Sequence, residues 1–546
     1  MQPNLFKRTA VAVALTTALA APCLAGDEEA TLDPGAAYEE MLKEESEKLF
    51  GFGDPLEKSA TDADVIDRNV ADAEDRQFLA EGLKAQFVTR AVGGNGDMIT
   101  FWPNDLHYTH LIVCNELGRS GVVTTDFGTY EGQNPAVQRV NVRTGKVETI
   151  LYGMARCDGI RTTQWGTILA TEESGADGGA YEILHPLRTT GHWIADRGGQ
   201  GGEADIRDGI GSEKKSKTIV KRAALAAQSW EGLEVLDNGV VIGGDELRPS
   251  LDADGGAVFR FVPETFYACE GAPVRPGQLC ENTIKKLEDS PFVAGTNYAL
   301  ATVCSGTDDF GQGCEAGRGL WVEVNAATAR ADANERGAAG YCRPEDLHVD
   351  RSYGIYAGGE GIRWCWNNTC GGGYGETLCV LEDAVGASGA VFDANFGYNL
   401  LANEDGSLAE AQITRFVEGD EELSSHDNLD IQPVTSNVYV IEDNEFGDIW
   451  ACLPDGADRN YDSDGCVRML SIRDPDAEPS GFIFDGTGRT AYYHVQHGQQ
   501  FDALRDFESN PVDGRTDDLI KITGFQIEDG HGKGHGKGKG KHRNDD

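Results

Sequence analysis

Positive charge is scarce in this chain. Lysine and arginine total 47 against 91 aspartates and glutamates, a formal charge of −44. That balance argues against nucleic acid and anionic membrane as partners, since both ask for a basic surface. Long apolar runs are few as well. Beyond the N-terminus no stretch approaches the roughly 20 apolar residues of a membrane span, so none is expected. A twin-arginine signal is missing, which points to ordinary unfolded export. No tight internal repeat is visible, and helix-period patterning is confined to the first part of the chain. Glycine supplies 70 of 546 residues and the runs between glycines are short, which favours strands and turns over long helices.

The N-terminus reads as a cleavable signal over residues 1–25: Lys7 and Arg8, then the apolar stretch Thr9 to Ala21, then Cys23-Leu24-Ala25. The expected product is secreted, into the periplasm or beyond. Twelve cysteines would remain there, in a compartment that permits disulfides. Cys269/Cys280, Cys304/Cys314 and Cys452/Cys466 are close enough in sequence to staple loops; Cys114, Cys157, Cys342, Cys365, Cys370 and Cys379 cannot be paired from sequence.

Residues 26–92 form an acidic, helix-prone extension, and strands and turns take over across 93–528. Thr144-Gly145-Lys146 and Asp237-Asn238-Gly239 mark hairpins, and Gly201 to Lys221, with Lys214, Lys215 and Lys217, reads as a surface loop. The tail 529–546 alternates glycine with histidine and lysine and is expected to be disordered. Asn460-x-Asp462-x-Asp464-Gly465 matches half a calcium loop but lacks the closing glutamate, so it reads as an Asp/Gly turn capped by Cys466.

Five short β-prone runs end in acids: Leu111–Glu116, Ile168–Glu173, Val240–Glu246, Leu378–Asp383 and Val438–Asp443. They recur about every sixty to seventy residues with one longer gap, a spacing that suits an all-β propeller of about six degenerate blades; a pair of β-sandwiches is the competing architecture. Carboxylates at the ends of radially arranged strands converge, and like charges at close quarters need cations to stay ionised. The pattern therefore predicts a polymetal site of hard, oxygen-liganded cations. Cys157, near Glu172 and Glu173, is open to two readings: a soft ligand suited to iron, or a disulfide partner.

Arg156-Cys157-Asp158-Gly159, Gln164-Trp165-Gly166-Thr167, Thr171-Glu172-Glu173, Trp230-Glu231, Arg343-Pro344-Glu345, Glu478 to Gly481 and Gln496-His497-Gly498 occur in an order that resembles the PhoX-type alkaline phosphatases, across roughly residues 95 to 500. The resemblance implies a β-propeller with a central iron and calcium cluster that hydrolyses small phosphate monoesters. It implies metal ligands at Cys157, Glu172, Glu173, Glu231, Glu345 and Glu478. It also implies catalytic roles for Arg343 and Glu345, with Arg343 holding a phosphate oxygen. A non-catalytic, calcium-stabilised propeller and a calcium-dependent lactonase or phosphotriesterase are the alternatives.

Overall fold

The computed structural model describes residues 34–119, 122–125, 128–251, 253–270, 279–303, 315–370, 373–382, 389–454, 465–498 and 516–527. The signal segment, the tail, the Cys304/Cys314 pair and the turn from Asn460 to Asp464 lie outside these residues.

Short alternating runs separated by glycine turns fold here into antiparallel meanders. The first begins at Gly96–Trp102 and continues outward through His110–Asn115, Pro135–Asn141 and Val147–Tyr152. Five more inner strands start sheets in the same way: Cys157–Thr162, Trp230–Val235, Pro344–Val349, His426–Ile431 and Glu478–Phe484. The sheets begun by Trp230–Val235 and Pro344–Val349 merge at their outer edges through Gly317–Val324. Each inner strand lies beside the next, and Glu478–Phe484 returns to Gly96–Trp102, closing a ring. The fold is mostly β and propeller-like.

A ring of radial sheets buries apolar surface between neighbouring sheets rather than in one central core, and the buried residues divide that way. Ile112, Ile150, Ile168 and Ile183 fill one wedge. Trp165, Trp230, Phe259 and Phe292 fill the next, and Trp321, Trp364 and Trp366 a third. Leu429, Val440 and Trp450 pack against the Cys365–Cys379 pair, Tyr439 against Phe482 and Phe484, and Ile99 and Val113 against Tyr492 and Leu519. Emptying one such aromatic site costs about 3–5 kcal/mol. The axis is left to polar groups. Inner strands approach there so closely that a Cβ on Gly232 would sit 2.3 Å from the Leu347 nitrogen.

Among the described residues the acidic extension is α-helical at its start, in Pro34–Glu44 and Ser46–Leu49, with one 3-10 turn at Ala73–Arg76. Its later part belongs to the sheets: Gln77–Leu79 pairs with Cys466–Ile472, and Lys84–Gly93 lines the edge of Thr516–Thr523. Buried and half-buried arginines fasten it. Arg68 and Arg90 share Asp518, at 2.8 and 3.0 Å, and Arg76 reaches Asp474 at 3.1 Å. The Gly201 to Lys221 stretch also differs from a plain loop, contributing Asp205–Arg207 and Ile219–Lys221 to two sheets.

Disulfides join Cys114–Cys157, Cys269–Cys280, Cys342–Cys370, Cys365–Cys379 and Cys452–Cys466. The last two link directly opposed residues of neighbouring strands. Such pairs suit an oxidising compartment. Among the described residues no helix is long and apolar enough to cross a membrane.

Candidate metal centre

One pairing register repeats around the ring. Gly96 pairs with Asn115, Cys157 with Glu172, Trp230 with Asp245, Pro344 with Asn368 and His426 with Glu442. In all five ladders the register then slips, so the next inner-strand residue stands in a bulge. Those residues are Asp97, Asp158, Glu231, Glu345 and Asp427. A bulge re-aims its side chain and favours such placement beside functional sites. In the sixth sheet the slip falls between Ser480 and Ile483 and contains Gly481, and the acid there is Glu478 at the head of the strand.

The acid pairs ending the neighbouring strands divide by strand alternation. Glu172, Asp245 and Glu442 turn into the protein. Glu172 takes two hydrogen bonds from Arg197, both 2.9 Å, and others from the Ala155 and Gly179 nitrogens. Asp245 is held by Arg330, and Glu442 accepts from the Ser424 nitrogen at 2.7 Å. The residues that follow them, Glu173, Glu246 and Asp443, join the bulge acids, as does Glu116.

Three triads of carboxylate oxygens, each within 4.8 Å of one another, share Glu231: with Asp97 and Asp158, with Glu173 and Glu246, and with Glu345 and Asp427. Glu231 is the hub. Two arginines flank it. Arg156 Nη1 donates to Glu173 at 2.9 Å, and Arg343 Nε lies 2.6 Å from Glu246 and 3.2 Å from Glu345. Each arginine immediately precedes an inner strand, and each has φ of 55°, a left-handed conformation costly for a non-glycine residue and typical of functional sites. Gln496 Nε2 donates to Glu116 at 3.0 Å, and His497 Nε2 lies 3.4 Å from Glu478.

Burial and then like charge dominate the electrostatics. Burial first, then neighbouring acids, raise the carboxyls of Asp158, Glu231, Asp427, Glu116 and Glu478 well above the ordinary range, and Glu345 is raised likewise against the opposing pull of Arg343. Asp97 and Glu246 are each pushed up to about 7, chiefly by burial. Glu173 is the exception: despite burial, hydrogen bonds with Glu246, Glu116 and Arg156 hold it below its usual value.

The donor set fits hard cations. Asp158 Oδ1, Glu345 Oε2 and Glu478 Oε2 are buried without a hydrogen-bond partner. A buried unpaired carboxylate oxygen is expensive unless a cation meets it. All donors are oxygen, as calcium prefers.

Of the residues singled out from sequence, Glu173, Glu231, Glu345 and Arg343 meet at this centre, and Glu478 stands beside Asp443. Two do not join it. Cys157 is bonded to Cys114, so it has no thiolate to offer iron; its neighbour Asp158 points to the axis instead. Glu172 is fully engaged by Arg197. In the run Leu378–Asp383, Glu382 is in a third-row strand and pairs with buried Arg260 rather than supplying an axial acid, and Asp383 lies outside the described residues. Asp97 is an addition; Arg156, Asp158 and Asp427, which stand in the chemistry-bearing segments Arg156–Gly159 and His426–Asp430 without a role of their own, join the site, and Glu116, Glu246 and Asp443 rise from strand-end acids to members of it.

No protein-family profile and no curated protein sequence matches the chain. Solved structures do. Pseudomonas fluorescens PhoX in complex with vanadate, a transition-state analogue, is similar at a TM-score of 0.51 and 14% identity, over 87% of this chain and 98% of that one. Regucalcin from Agrobacterium tumefaciens, a calcium-binding protein, matches at 0.32 and 11%, over 80% and 95%. A luciferin-regenerating enzyme matches at 0.32 and 10%, over 81% and 96%. The chain thus has a PhoX-like fold.

Proposed function

We propose that this protein is a secreted, calcium-dependent phosphomonoesterase built on a six-bladed propeller. The observation that carries the reading is the meeting of bulge and strand-end carboxylates on Glu231, with Arg156 and Arg343 at the rim. Calcium ions there would be held by Asp97, Asp158, Glu231, Glu345 and Asp427 with Glu173 and Glu246. When bound they would supply the positive charge that neutralises a phosphate ester and stabilises in-line displacement. Iron held by a thiolate is not part of this reading, because Cys157 is oxidised.

The protein's own groups have distinct tasks. Arg343 presents a planar guanidinium suited to two phosphate oxygens. Glu246 and Glu345 orient it. Arg156, its side chain 52% exposed and anchored to Glu173, would supply a second cation to the ester. The two arginines offset part of the acidic charge, so a dianion is not repelled at the rim.

The test is turnover of p-nitrophenyl phosphate by the mature protein, with and without calcium, beside its Glu231→Gln variant. Turnover that needs calcium and falls at least tenfold in the variant supports the reading. A calcium-replete, folded protein that leaves phosphate monoesters intact but opens lactones would move the assignment to the lactonase alternative, since an all-oxygen calcium centre serves either chemistry.

A further inference from the structure

A second polar site, which shares no residue with the axial acids, lies in the first two sheets of this chain of net charge −44. His185, Arg188, His192, Lys214, Lys215 and Lys217 line one pocket together with Thr189 and Thr218. Asp208 is its only acid among the described lining residues, and Asp208 is taken by Lys214 and by the Ser212 hydroxyl. Among the described residues no carboxylate pairs with Arg188, Lys215 or Lys217. We infer that this pocket binds an oxyanion of the phosphate or sulfate class.

Two features argue for a ligand site rather than a solvated basic face. The pocket walls are fixed from behind. Buried Arg139 donates to the carbonyls of Pro186 and Thr189, both at 2.8 Å, and to the Thr190 hydroxyl at 2.8 Å. The Thr189 hydroxyl donates to the Leu184 carbonyl at 2.8 Å. On the other wall Lys215 bridges back to Arg207, and the Ser216 nitrogen donates to the Ile206 carbonyl at 2.7 Å. These contacts fix the backbone that carries the lysines, so only their side chains lose freedom on binding an anion. The second feature is unmet hydrogen-bonding capacity. His192 and Thr218 both line the pocket, each half-buried, and His192 Nδ1 and Thr218 Oγ1 have no hydrogen-bond partner. A tetrahedral oxyanion would satisfy a donor hydroxyl and an imidazole N–H while the lysines and Arg188 neutralise its charge.

The experiment is calorimetric titration of the full mature protein with sodium sulfate and with inorganic phosphate at constant ionic strength, and cosedimentation with phosphatidylglycerol vesicles. The variants are Lys215→Glu/Lys217→Glu and Arg343→Ala. Binding of sulfate or phosphate that weakens at least about tenfold in the double variant and persists in Arg343→Ala upholds the site and separates it from the axial centre. Vesicle binding lost in the double variant, with no free-ion binding, also upholds it and identifies a lipid headgroup as the source of the oxyanion. Free-ion or vesicle affinity unchanged by the double charge reversal, or no binding of any probe to the folded protein, overturns it. Thr218→Val tests the orphaned hydroxyl separately, and should weaken binding with the lysines intact.

Discussion

Glu172 and Glu173 are consecutive, yet they face different worlds: Glu172 is clamped by Arg197 at 2.9 Å, while Glu173 meets Glu231 and Glu246 at the axis. Glu172→Gln should therefore destabilise the protein while leaving its calcium stoichiometry intact, because Arg197 loses its charged partner near the interior. Glu173→Gln should do the reverse, lowering calcium affinity with little change in the melting temperature of the metal-free protein. Calcium titration and thermal unfolding of the two variants side by side check this. Equal calcium affinities in the two would contradict the division.

The Cys114–Cys157 bond is predicted to be structural. Replacing both cysteines by alanine should cost about 2–4 kcal/mol of stability, measured by denaturant unfolding, through lost constraint on the unfolded chain. Calcium content should be unchanged. A variant that loses its metal but not its stability would return Cys157 to the ligand set.

The raised carboxyls make a signed prediction about pH. In metal-free protein the folded state holds protons on Asp97 and Glu246 up to about 7, whereas the unfolded chain releases them near the ordinary values of 3.8 and 4.5. Folded protein therefore binds more protons than unfolded in that window, and stability falls as pH rises through it. Metal-free protein should be more stable at pH 5 than at pH 8. Calcium should reverse the trend, bind more tightly as pH rises, and release protons as it binds. Melting temperatures with and without chelator across this range test it; a metal-free protein that gains stability toward pH 8 would contradict the electrostatic description.

The rim arginines should affect substrate rather than metal. Arg343→Lys keeps the charge but loses the fork, and should lower kcat/KM for a phosphate monoester at least about tenfold. Arg156→Ala should raise KM more than it lowers kcat. Calcium content should stay constant in both, which separates substrate contact from loss of the centre.

Parts of this site are legible in sequence and parts are not, for physical reasons. Strand alternation followed by an acid pair marks Glu116, Glu173, Glu246 and Asp443, since a β-run and its end are local features. The same alternation says that only one member of each pair can face the axis, a signal sufficient to set Glu172 aside. Leu378–Glu382 looks identical locally, yet it lies in the third row of its sheet, and row is decided by long-range pairing. Asp97 escapes, and Asp158 and Asp427 are given no role within their segments, because a bulge is a property of two strands in register. Likewise Gln77–Leu79 and Lys84–Gly93 look like the end of an acidic extension; their partners are hundreds of residues downstream.

The most direct measurement is elemental analysis of the mature protein purified from its native host, together with Glu231→Gln. More than one calcium ion per chain in the wild type, no stoichiometric iron, and loss of calcium from the variant is the predicted result, because all three oxygen triads pass through Glu231. A calcium-free wild type, or a Glu231→Gln protein that retains its full calcium complement, would contradict a metal centre built on that residue.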